Sequence, residues 1–331
     1  MRQLISFVIP CYHSNETVGQ VVDDIFSVVK EDGRYDAEVV LINDNPPDET
    51  WDVILDICAK YPDAHGFCMT HNFGQHAALI AGYGQAKGDI IVSLDDDGQT
   101  PPSEAFKLID ALGGSVDLVY ASYPENAYAS LFRKLGSKAN DKMAEMLIGK
   151  PKGIYLSSYL ATTRDVIDRV LSYKGPYPYV DGLMLQCCTS VVPVPVEHKS
   201  RVSGESGYSL GKLLGLWLNG FTSFSVKPLR ISVFIGCLFA VLGFLVGLFV
   251  FIQKLVLRDD IDAGWSSIIC LLMLMVGMIM MTIGMVGEYV GRIFMSINNA
   301  PQYYIRQSTD DVLKAQCERD VSQQSRREET L

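Results

Sequence analysis

Two stretches of this chain carry no charged residue, Ile231 to Ile252 and Trp265 to Gly287. No other feature limits the fold so tightly. Inside hydrocarbon a backbone has no water to bond, so a single spanning segment must be helical. At ~1.5 Å per residue, each stretch reaches across a bilayer core. A helix of this length in a soluble core shows a polar stripe, and neither stretch has one. The reading is two transmembrane helices, over about 231–252 and 265–287, with a buried hairpin in a larger soluble core as the alternative. Lys227 and Arg230 precede the first stretch, Arg292 and Arg306 follow the second, and Lys254 and Arg258 lie between. These flanks tilt both ends of the hairpin inward. The N-terminal region agrees, because Met1-Arg2-Gln3 runs into an alternating strand and not into an export signal.

Ahead of the hairpin the pattern changes. Short apolar runs at 4–10, 37–43, 66–70, 90–94 and 117–121 read as strands. Helical stretches fall between them: one ending near Val29, then Thr50 to Lys60, His71 to Ala86 and Ser103 to Leu112. This alternation indicates a Rossmann-like α/β domain, a parallel sheet with helices on both faces. Residues 155–162 look extended, Tyr177 to Asp181 lead into an apolar helix, and Val191 to His198 form a strand. No G-x-G-x-x-G follows the first strand and there is no P-loop, which excludes the usual dinucleotide and P-loop sites.

The chemistry concentrates in Gly88 to Pro102, GDIIVSLDDDGQTPP. Ile90, Ile91, Val92 and Leu94 make a buried strand, and Asp95, Asp96 and Asp97 stand where it ends. Ligands of open α/β sheets bind beyond the carboxyl ends of the strands. Three adjacent carboxylates repel one another unless a cation or water offsets them. Alternation along an extended segment puts Asp95 and Asp97 on one side and Asp96 elsewhere. Two hard oxygen ligands, with phosphate oxygens supplying the rest, suit Mg²⁺ or Mn²⁺. A solvated acidic turn is the competing reading. Asp44 ends its own strand, so its carboxylate can face the same crevice and accept hydrogen bonds from a base or a ribose.

Other stretches are less specific. Residues 128–148 mix apolar side chains with Arg133, Lys134, Lys138 and Lys142, as a helix at a membrane surface or an ordinary core-facing helix would. Lys199 to Ser209 is a polar, glycine-containing loop, fit either to close over phosphates or to serve as a linker. The formal net charge of −10 argues against nucleic acid as a partner. The eight cysteines include no C-x-x-C, so they form no disulfide framework and a reducing compartment is expected. Residues 301–331 are charged and poor in apolar side chains after Ser308, and a disordered cytoplasmic tail is expected.

Taken in order, these pieces resemble glycosyltransferase family 2, and within it the polyprenyl-phosphate transferases of the GtrB and dolichyl-phosphate mannose synthase type. Phe7-Val8-Ile9-Pro10-Cys11-Tyr12 is similar to the family's opening strand, and His71 to Gly82 to its asparagine–phenylalanine–glycine segment. Leu94 to Pro102 resembles its acidic metal motif, and Gly220 to Arg230 its junction to the membrane. The resemblance implies a GT-A domain over 1–226 and a membrane domain over 227–300. It implies Asp95 and Asp97 as metal ligands, with Gln99 on the diphosphate or the metal. Asp44 would contact the base, Pro10, Tyr12 and Glu16 would line its pocket, and Asp96 would belong to the same nucleotide-sugar site. Arg133 and Ser137 would hold the lipid phosphate, and Arg201 would close over the donor. Three departures stand out: Asp96 where a small residue is usual, Asn45-Pro46-Pro47 in place of an aspartate–glycine–serine turn, and Tyr123 where an arginine is common. The closing loop also has Gly207-Tyr208 where a lysine is often found.

The expected activity is inverting transfer of one sugar from a nucleotide diphosphate, by implication a UDP-sugar, to polyprenyl phosphate. The resemblance places it at the cytoplasmic face of a bacterial inner membrane and implies a homotetramer. Two alternatives stay open: a family 2 transferase with a protein or polysaccharide acceptor, and a nucleotide-sugar-binding membrane protein without activity.

Overall fold

The computed structural model describes residues 2–123, 145, 149–197, parts of 233–252, 265–298 and 301–315. It divides into two compact units: Met1–Ser209 with Pro301–Leu331, and Leu210–Ala300.

The first unit is built on an eight-stranded sheet. In chain order it contains β1 (Gln3–Cys11), α1 (Val18–Asp32), β2 (Tyr35–Asn43), α2 (Thr50–Lys60), β3 (Ala64–Met69) and α3 (Gln75–Gln85). There follow β4 (Ile90–Ser93), a 3₁₀ turn at Pro102–Glu104, α4 (Ala105–Asp110) and β5 (Leu118–Ser122). Then come β6 (Leu160–Thr163), α5 (Arg164–Leu171), α6 (Val180–Cys187), β7 (Val191–Pro195) and β8 (Ile305–Ser308). The sheet order is β7-β5-β6-β4-β1-β2-β3-β8.

Local sequence explains the central elements. In β1, residues Ile5 to Ile9 are all fully buried, because a parallel strand covered on both faces needs apolar side chains in both directions. In α1, Val18, Val21, Val22, Ile25 and Val29 form one buried stripe. That helix stops at Gly33, whose φ of 67° is left-handed and whose N–H returns to the Val29 carbonyl. One core unites α1, α2 and α4 with Phe7, Leu41, Val92 and Val119. On the other face α3 lies tight against β1 and β2. A Cβ at Gly82 would meet Val8 Cγ1 at 2.4 Å.

The structure corrects three expectations. The sheet is mixed, because β6 runs antiparallel to both β4 and β5, and β8 antiparallel to β3. Leu160-Ala161-Thr162 is apolar enough to be buried in either direction, so its sequence holds no directional signal. Helix α5 went unanticipated, though Val166, Ile167 and Val170 are buried along one side of it. Residues 301–315 are ordered, against the expectation of a disordered tail. Tyr304 accepts the Thr70 N–H at 3.0 Å, β8 pairs with β3, and residues 309–315 are helical. Thr309 is fully buried and its hydroxyl accepts the Gly66 N–H at 3.0 Å. The apolar edge of β3 supplies the partner that tail composition alone concealed.

A buried clamp fixes the entry to β4. Glu38 Oε1 accepts the Ser6 hydroxyl (2.5 Å), the Lys87 N–H (2.5 Å) and the Gly88 N–H (3.2 Å). Arg164 donates to the Ala86 and Gly88 carbonyls at 2.7 and 2.8 Å. The turn before β4 is thereby satisfied on both its donors and its acceptors.

In the second unit one helix runs from Trp265 to Ile297, 33 residues. Its stretch Leu274–Ile297 is long and apolar enough to cross a membrane. A shorter apolar helix covers Val233–Leu245. The expected amphipathic segment 128–148, apart from helical Glu145, and the loop 199–209 lie outside the described residues.

Candidate active site

The carboxyl ends of β2, β1 and β4 lie side by side, so Asp44 and the Asp95–Asp97 run are about two strand spacings, ~10 Å, apart. Two non-glycine residues with left-handed φ mark this rim, His13 (59°) after β1 and Asn45 (49°) after β2. Such strain collects where a chain is held for function.

Each aspartate of the run has its own setting. β4 ends at Ser93 and residues 96–97 already turn, so simple alternation does not extend through the triplet. Asp95 accepts the Gln75 amide on Oδ1 (3.1 Å) and the Ser158 hydroxyl on Oδ2. Asp96 accepts the Tyr12 N–H (3.2 Å) and the Ser14 hydroxyl on Oδ2, and so ties the triplet to the turn after β1. Burial raises the Asp96 carboxyl above its usual range, against the pull of those hydrogen bonds. Asp97 accepts the Gln99 N–H on Oδ1 at 3.1 Å, closing the turn on itself.

Asp44 is 4% exposed, and both its oxygens are engaged. Oδ1 accepts the Phe73 N–H (2.7 Å) and Oδ2 the Gly74 N–H (2.9 Å). Gly74 is the N-cap of α3. The Gly74 N–H stands at the start of the helix and the Phe73 N–H just before it, where an anion is favourable. Burial still dominates and pushes the Asp44 carboxyl up to about 6. Asp44 thus braces the Asn72-Phe73-Gly74 turn.

Of the other anticipated residues, Pro10 is half-buried within β1, Tyr12 is 44% exposed and Glu16 is exposed. Gln99 is half-buried behind Asp97. Arg133, Ser137 and Arg201 lie outside the described residues.

The sequence motifs give no site role to Ser158, Gln75, Asp181 or His76, and they mark Tyr123 only as a departure from the family pattern. Ser158 and Gln75 hold Asp95 across 63 and 20 residues of chain, a distance no local pattern reports. Tyr123 follows β5 and shares a hydrogen bond with Ser157 at 3.2 Å. Burial pushes its phenol up, and the charges of Asp95 and Asp97 add to that. Asp181, at the start of α6, accepts the Tyr120 hydroxyl at 3.1 Å, and burial raises it to about 6. Beside it His76 accepts the Val180 N–H, and burial lowers the imidazole to about 4, so it stays neutral.

The donor set fits a divalent cation. Asp95 and Asp97 are hard oxygen ligands, half-buried just past the end of β4. Among the described residues no three His, Cys, Asp or Glu side chains converge. A cation held by these two carboxylates would take its remaining ligands from outside the described side chains.

Set against known sequences, residues 6–171 match the profile described as Glycosyl transferase family 2. Residues 227–293 match the one described as GtrB C-terminal hairpin. An undecaprenyl-phosphate 4-deoxy-4-formamido-L-arabinose transferase from Photorhabdus laumondii is 28% identical over 93% of this chain and 94% of its own. A transferase of the same description from Aeromonas hydrophila is 30% identical over 92% and 94% of the two chains. Among solved structures, glucosyl-3-phosphoglycerate synthase from Mycobacterium tuberculosis with Mn²⁺, UDP-glucose and phosphoglyceric acid is 18% identical. It covers 66% of this chain and 78% of its own, with a TM-score of 0.47.

Proposed function

The chain belongs to glycosyltransferase family 2, and from that premise we propose that it moves one sugar from a nucleotide diphosphate to undecaprenyl phosphate at a membrane's cytoplasmic face. The observation that carries this is the order of its two matched parts, a transferase at 6–171 and a GtrB-type hairpin at 227–293. A soluble acceptor needs no such hairpin, whereas a polyprenyl acceptor lies in the bilayer. The curated relatives above act, by description, on the same lipid phosphate.

The residue roles in this reading are those that the family resemblance implies, joined to the contacts described above. A divalent cation held by Asp95 and Asp97 supplies charge neutralisation for the departing diphosphate. Gln75 and Ser158 orient Asp95, and Asp96 fixes the triplet to the turn that carries Tyr12. Asp44 contacts the base, beside Pro10, Tyr12 and Glu16, and the same carboxylate holds the turn before α3. Arg133 and Ser137 receive the acceptor phosphate, and Arg201 closes over the donor. The acceptor is already an anion at neutral pH, so attack requires little of a general base. Catalysis is positioning and charge stabilisation. One displacement breaks the anomeric carbon's bond to the diphosphate oxygen and makes one to the lipid phosphate oxygen, with inversion. Two membrane spans and assembly into a homotetramer belong to the same proposal.

The test is sugar transfer from a panel of nucleotide sugars to undecaprenyl phosphate, with and without Mn²⁺. Labelled lipid that appears only with the cation supports the reading. Label passing instead to protein or polysaccharide, with none in lipid, contradicts it.

A further inference from the structure

We infer that Tyr155 and Tyr123 form the wall of the donor's sugar subsite, with the exposed Tyr155 ring as the surface on which the transferred sugar lies. This rests on the nucleotide-sugar reading above and goes further by placing the sugar.

A nucleotide sugar is a linear molecule: base, ribose, diphosphate, sugar. The sheet edge is linear too, and its strands run β2, β1, β4, β6, β5. With the base near Asp44 after β2 and the diphosphate at Asp95 and Asp97 after β4, the sugar must lie one step onward. That step is the start of β6 and the end of β5. Because β6 is antiparallel, its first residues lie beside the last of β4, with Leu160 opposite Ser93. It also puts them beside the end of β5, with Leu160 opposite Tyr120. The reversed strand thus brings residues 155–158 to the crevice.

What stands there is a connected group. Ser158 donates to Asp95. Its neighbour Ser157 is 4% exposed and shares a hydrogen bond with the Tyr123 hydroxyl. Tyr123 in turn meets Tyr155 edge to face, with ring centroids 6.1 Å apart and an interplanar angle of 74°. Tyr155 is 56% exposed, although a large ring in an α/β domain normally loses most of its surface. Tyr123 also feels the charges of both Asp95 and Asp97, which places the pair close to the diphosphate end. An open aromatic face held rigid by a second ring suits the C–H face of a sugar. The Tyr123 hydroxyl, fixed by Ser157, offers a polar contact at its rim.

The test separates the sugar from the rest of the donor. Calorimetry with Mn²⁺ would compare UDP and GDP with UDP-glucose, UDP-N-acetylglucosamine and GDP-mannose, in the intact chain and in Tyr155→Ala and Tyr155→Phe. The conjugate that gains most over its free diphosphate reports the sugar increment. Tyr155→Ala should cut that increment about fivefold and leave the free diphosphate's affinity within about twofold. Tyr155→Phe should keep both, since the ring makes the contact. Loss of affinity for the free diphosphate as well would make Tyr155 a structural residue and overturn the subsite. So would an unchanged increment, or a rise confined to the KM for undecaprenyl phosphate. If no nucleotide binds the unaltered chain, the donor reading fails and the subsite fails with it. If the diphosphates bind but no conjugate gains over them, the subsite fails alone.

Discussion

Asp44 shows how one residue can matter through the backbone it holds. An aspartate ending a strand was legible in the sequence, but its partners were not, since Phe73 and Gly74 lie 29 and 30 residues away. Its folded value of about 6 stands above the ~4 of a free aspartate. Between those values the folded chain holds the proton more tightly than the unfolded chain does. Stability therefore falls as pH rises through that window, and Asp181, also raised to about 6, adds to the slope. Thermal melts from pH 4 to 7 should show the slope, and Asp44→Asn and Asp181→Asn should each flatten it. Nucleotide binding should run the other way. The ionised carboxylate is the stronger acceptor for both N–H groups, so affinity should rise with pH towards a plateau above about 6. Asp44→Asn should weaken binding at pH 7 by about 1–3 kcal/mol, because its amide would oppose an N–H donor. Titration of the nucleotide at several pH values checks both.

At the scale of elements, local pattern was enough where burial is complete on both faces. β1, β2 and β4 stand out as branched apolar runs, and α2 has the expected bounds, Thr50–Lys60. It failed where identity depends on a distant partner. The direction of β6 is set by β4 and β5, and β8 exists because the β3 edge is there to pair with. Helix α5 could have been found from Val166, Ile167 and Val170, whose spacing is helical. The site divides in the same way. The Asp95–Asp97 run was visible as a motif, whereas Ser158, Gln75 and Tyr155 come to it only through the fold. The returning segment allows a direct check. Thr309→Val keeps the shape but leaves the buried Gly66 N–H without its acceptor. It should cost about 1–3 kcal/mol in chemical denaturation. A loss near zero would mean that β3 is held by its other neighbours alone.

On the scale of the whole molecule, a catalytic unit and an apolar hairpin belong to one polypeptide, and the chain returns to the catalytic sheet after the hairpin. Along the helix from Trp265 to Ile297, large side chains such as Met280 and Phe294 are each 66% exposed. In water that surface would be costly at about 25 cal/mol per Å², and in lipid it is not. The chain should therefore stay with membranes through alkaline carbonate washing, and its release by that wash would count against the spans. The central claim is that Asp95 and Asp97 hold the donor's diphosphate through a divalent cation while a lipid phosphate attacks. Its most direct test is Mn²⁺-dependent sugar transfer to undecaprenyl phosphate by the intact chain and by Asp97→Ala, with circular dichroism to confirm that both are folded. The intact chain should transfer sugar, and Asp97→Ala should lose at least about a thousandfold. Equal transfer by a folded Asp97→Ala chain would contradict it.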